Sequence, residues 1–114
     1  MPELEPAVEI QLGGAARRLV PTLRATRLIN RRFGDFRIAQ NAITNCDTEA
    51  YVFIVRVGLG LSDGAQSEVD EQVWSAGVLA LRPALISYTD MLLNGGQPLS
   101  AEKGAGPAGG AGEP

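Results

Sequence analysis

Apolar and polar residues alternate near the start of the chain, with Val8, Ile10 and Leu12 on one face and Glu9 and Gln11 on the other. A period of two predicts a half-buried strand. Gly13 and Gly14 follow as a hairpin turn signal. Ala15–Val20 supplies a return strand, stopped by Pro21, which cannot donate to a ladder. From Thr22 the period becomes helical. Thr22 is placed to cap a helix and Gly34 to end it. At 100° per residue Ala25, Ile29 and Phe33 share one face, and Arg24, Arg27 and Arg31 share the opposite one. Arg31 and Arg32 fall in the last turn, where cations favour the helix dipole. Asp35 then caps a short second helix with Phe36, Ala39 and Ile43 on its apolar face.

The next segment, "DTEAYVFIVRVGLGL", has two readings. Tyr51 to Val57 are mostly β-branched or aromatic, which favours a strand. As a helix it would be capped by Asp47 or Thr48 and ended by Gly58, with Glu49 and Arg56 on its only polar strip. Periodicity does not separate a buried strand from a buried helix. "SDGAQ" is a loop, and a helix opens near Ser67 and Asp70, a pattern close to a capping box. Val69, Val73, Ala76, Gly77 and Ala80 share its apolar face, and Gly77 costs it about 1 kcal/mol relative to Ala. Pro83 is expected to end or kink this helix and to restart another near its first position. Ala84, Tyr88, Met91 and Leu92 form the apolar face of that last helix, which Asn94-Gly95-Gly96 stops. The expected fold class is α+β, mostly α: an N-terminal β-hairpin followed by a bundle of four or five short helices. One domain is expected over 7–96, between a loose N-terminus, 1–6, and a disordered Gly/Ala/Pro-rich C-terminal tail, 97–114, which has too little apolar surface to offset its ordering entropy.

Composition narrows the chemistry. The chain has 114 residues and 45% hydrophobic content, enough for one small core. It has no His, which removes the commonest general base and metal ligand. Cys46 is the single Cys and can form neither an internal disulfide nor a zinc site alone. No apolar run reaches the roughly 18 residues of a membrane span, and the acidic start lacks a basic signal-peptide region, so a cytoplasmic location is expected. Glu68, Asp70 and Glu71 fit helix N-terminal charges better than metal ligands. The glycine pairs lack the context of a phosphate loop. Trp74 and Tyr88 read as core anchors. No catalytic set remains, and neither an enzyme nor a cofactor is expected.

The arginines pose the sharpest question. Seven of the ten cations lie from Arg17 to Arg37, while the net charge is −3. Such clustering suits phosphate contacts. The acidic total and the absence of an exposed stacking aromatic oppose nucleic acid, and a solvated face, or one that docks an acidic protein, is the better reading. Arg24, Arg27 and Arg31 are the candidate partner-binding residues.

The order "VEIQLGG", "RRLVPTLRATRLINRRFG", "DTEAYVFIVRVGLG" and "VWSAGVLALRPALISYTDMLLNGG" resembles the phage and gene transfer agent tail assembly chaperone family, also labelled a gene-transfer-agent-type tail tube protein. The matching positions are Leu19, Pro21, Thr22, Ala25, Phe33 and Gly34, then Gly58 and Leu59, then Leu93, Gly95 and Gly96. The family's first helix usually carries more acid than "NRR" here. The resemblance implies a helical Tyr51–Val57. It also implies a job in tail morphogenesis: covering the tape-measure protein, with the tail tube protein as a further partner. A structural tail component and, less well matched, a small DNA-binding regulator are the other readings.

Overall fold

A computed structural model describes residues 6–98. The expected tail from 99 on, and the loose start over 1–5, lie outside the described residues. Strands β1 (Val8–Leu12) and β2 (Ala15–Leu19) form an antiparallel hairpin with Val8 opposite Leu19 and Leu12 opposite Ala15. Gly13 and Gly14 both have positive φ, 63° and 82°, the backbone of a tight two-residue turn whose twist matches the strands. Ile10, Leu12 and Leu19 are buried and Glu9 and Gln11 exposed, as the alternation predicts.

Five helices follow: α1 (Leu23–Phe33), α2 (Phe36–Thr44), α3 (Thr48–Gly58), α4 (Gln66–Ala76) and α5 (Val78–Leu93). Three begin at the expected caps. The Thr22 hydroxyl accepts from the Ala25 amide, the Asp35 carboxylate from Ile38, and the Asp47 carboxylate from Glu49 and Ala50. Each satisfies amides that the first turn leaves without a helical partner.

Tyr51–Val57 is helical. Helix α3 is the axis of the molecule, touching β2 and all four other helices. Tyr51, Val52, Ile54 and Val55 have no exposed surface. Strand propensity mostly reflects fit to a half-buried pleated surface. Here burial on every side outweighs it, and the helix satisfies its own backbone polar groups with no strand paired along it among the described residues. At its C-terminal end the Gly58 carbonyl accepts from the Val20 amide at 3.0 Å, and the Tyr88 hydroxyl donates to the Val20 carbonyl at 2.8 Å. The hairpin exit, α3 and α5 meet at that point.

Three expectations need correction. Trp74 is not a core anchor: it is 79% exposed, whereas Tyr88 is fully buried. The Ser67/Asp70 capping box does not form, because a 3-10 turn over Asp63–Ala65 leads straight into α4 and places Ser67 inside the first turn. The break between the last two helices falls at Gly77, not Pro83. Gly77 has φ 94° and ψ 122°, the two arms diverge by 113°, and α5 runs on through Pro83. Arg56 shares the polar strip of α3 with Glu49 but, unlike Glu49, is turned away from solvent. It is buried, with its guanidinium donating to the Gln66 side chain and the Leu61 carbonyl and paired with Asp63.

Candidate partner-binding surfaces

The structure gathers Arg24, Arg27 and Arg31 on the outer face of α1, all exposed. With Leu23 and Leu28 they line one shallow groove. Leu23 is 66% exposed and Leu28 half-buried, so the face is basic at its edges and aliphatic along its floor. The opposite face holds α1 in place through Ala25 and Ile29, both essentially without exposure. Among the described residues, none of the three arginines is held by an ion pair; the pairs formed are Arg37–Asp35 and Arg56–Asp63. Arg32, one position on, points elsewhere. Its guanidinium lies 5.2 Å from the centre of the Phe53 ring and 5.7 Å from that of Phe33, so it closes the edge of the core by cation–π contact. The sequence cluster therefore divides into an exposed arginine face and a structural arginine.

A second surface escaped the sequence reading. Trp74, on the outer side of α4, lines a groove with Thr48, Asp70, Glu71 and Ser75. The reason it was missed is local. Trp74 directly follows Val73, which takes the buried position, so the indole is rotated out of the core. Its size alone favoured burial. The exposed indole also removes one argument raised against nucleic acid, the lack of an exposed aromatic. The groove itself supplies another, since Asp70 and Glu71 beside the ring repel phosphate.

Candidate chemistry is sparse. No group of three or more His, Cys, Asp or Glu is placed to hold a metal among the described residues. Cys46 is half-buried just after α2, with the Arg82 guanidinium 3.7 Å from its sulfur. Its backbone has φ 59°, and its amide donates to Ile43 while that of Asp47 donates to Ala42. This is a glycine-type helix ending made by a cysteine. The interior polar groups are satisfied. The Gln40 amide donates at 2.8 Å to both Thr89 and Asp90, joining α2 to α5, and the Thr89 hydroxyl donates to carbonyls of its own helix. No single helix among the described residues is long and apolar enough to cross a membrane.

No family model matches the chain, and no curated protein or solved structure does so either.

Proposed function

We propose that the chain is a non-enzymatic tail assembly chaperone that holds the tape-measure protein of a phage, prophage or gene transfer agent before tail polymerisation. The observation that carries this reading is the unpaired basic and aliphatic face of α1. A tape-measure protein is long and helical and needs its apolar surface covered until assembly. A groove with a leucine floor and cationic rims suits an amphipathic helix with acidic flanks. The order of elements, a hairpin and then helices, agrees with the family that the sequence resembles.

Co-expression with the tape-measure protein of the same tail gene cluster tests it. Affinity capture of this chain should retain that protein. Retention should fall as salt is raised, since screening at physiological ionic strength already acts over about 8 Å. Combined Arg24→Glu, Arg27→Glu and Arg31→Glu should weaken capture and leave the circular dichroism unchanged. Failure of the wild-type chain to retain the protein would end the reading. Salt-sensitive binding of duplex DNA, lost on the same charge reversal, would transfer the face to a DNA-binding role.

A further inference from the structure

The two exposed grooves are complementary to each other. One carries Arg24, Arg27 and Arg31 around Leu23 and Leu28; the other carries Asp70 and Glu71 beside Trp74. Glu68, also exposed, adds a third acid on α4. Among the described residues no ion pair joins the two surfaces within one molecule, and α1 and α4 each pack against α3. We infer that the acidic tryptophan groove on α4 of one molecule receives the arginine face of α1 of a second copy, in a head-to-tail association.

Three features support a second copy as the occupant. Charge is complementary, with three cations lining one groove and two anions, Asp70 and Glu71, lining the other. The apolar parts are matched as well: a 79% exposed indole would meet a groove lined by a 66% exposed leucine. Guanidinium groups also pair well with an indole face, the best of the aromatic partners for a cation. The patch and its receptor are different surfaces, so a head-to-tail repeat of this contact generates a closed ring or an open chain of subunits. The contact uses the same α1 face that the proposed function gives to the tape-measure protein, so on one molecule the two associations exclude each other.

Trp74 is the chain's only tryptophan, so its fluorescence reports this groove directly. Emission and acrylamide quenching are followed as protein concentration rises, with sedimentation velocity on the same samples. At about 0.01 M salt, where screening reaches about 30 Å, the indole should become shielded as mass increases. At about 1 M salt, where it reaches about 3 Å, both changes should be lost. Arg24→Glu/Arg27→Glu/Arg31→Glu and Asp70→Lys/Glu71→Lys should each abolish association alone, and the two variants mixed should recover it. Asp70→Asn/Glu71→Gln, a milder change, should weaken it if the lysine variant proves poorly folded. A chain that stays monomeric with a fully quenchable indole at low salt overturns the inference. So does an oligomer indifferent to both charge reversals. Shielding of Trp74 only on adding tape-measure protein would give the groove to that partner instead, while leaving the chaperone reading in place.

Discussion

Gly58 is the most closely packed glycine in the helices of the described chain. A Cβ there would lie 3.0 Å from Leu19 Cδ2 and 3.2 Å from Tyr88 Cζ. Alanine favours a helix by about 1 kcal/mol over glycine, so helix propensity alone predicts a stabilising Gly58→Ala. Overpacking opposes it. Leu19 and Tyr88 are both fully buried and have nowhere to move. Gly58→Ala should therefore cost about 1–3 kcal/mol in urea unfolding. A neutral or stabilising result would mean that the junction of β2, α3 and α5 is looser than described. On α1, Ile29 has no exposure, while Phe33 is half-buried against Phe53. Ile29→Ala should cost about 2–5 kcal/mol, and Phe33→Ala should fall below the roughly 3 kcal/mol at which fully buried phenylalanines begin. Arg27→Ala, on the outer face, should stay within about 0.5 kcal/mol. If Arg27→Ala proved costlier than either apolar truncation, the assignment of the core face of α1 would be reversed.

At the scale of elements, the decisive residue is the hinge between α4 and α5. A glycine inside a continuous helix is improved by alanine, by about 1 kcal/mol. A glycine at φ 94° and ψ 122° is made worse, since side-chain-bearing residues held in such backbone cost about 1–3 kcal/mol. The sign of Gly77→Ala thus distinguishes one long helix kinked at Pro83 from two helices meeting at Gly77. Destabilisation is expected, by thermal or urea unfolding. The corner matters because both arms reach the core through it: Val69 and Val73 from α4, and Leu81, Leu85 and Tyr88 from α5. Pro83 sits six residues into α5 and gives up only the amide bond to Leu79, a loss that the buried face of the helix outweighs.

At the scale of the whole molecule, the two tyrosines make stability depend on alkaline pH. The Tyr51 hydroxyl donates to the Ile43 carbonyl at 2.7 Å inside the core. Burial first, and the neighbouring Cys46 second, push its pKa up to about 12. Burial shifts Tyr88 in the same direction. In the unfolded chain both ionise near pH 10. The folded state holds the proton more tightly, so this stabilisation is complete below about pH 10 and is lost as the pH rises from there towards 12. Tyrosinate absorbance and circular dichroism should therefore change together, at unfolding, because these are the chain's only tyrosines. Normal tyrosinate titration near pH 10 with native circular dichroism would show that the two hydroxyls are open to water.

Elements whose identity rests on local chemistry were legible in the sequence. The hairpin has its alternation and its glycine pair. Helices α1 and α2 have a side-chain cap at Thr22 and Asp35, which accepts amide hydrogens in the structure as expected. The arginine face follows from helical geometry once α1 is assigned. Three other features depended on what lies across the fold. Tyr51–Val57 is a helix because partners surround it, which no local pattern records. Trp74 and Val73 are adjacent on α4 and only one can take the buried position, which packing gives to Val73 and not to the larger indole. Pro83 is the stronger helix breaker by propensity, yet the chain turns at Gly77, because only a backbone of that handedness brings both arms onto α3 and β1. Local hydrogen bonding and periodicity thus determined where elements start and which face is apolar. Competition for the single core decided where the chain turns and which aromatic is left outside.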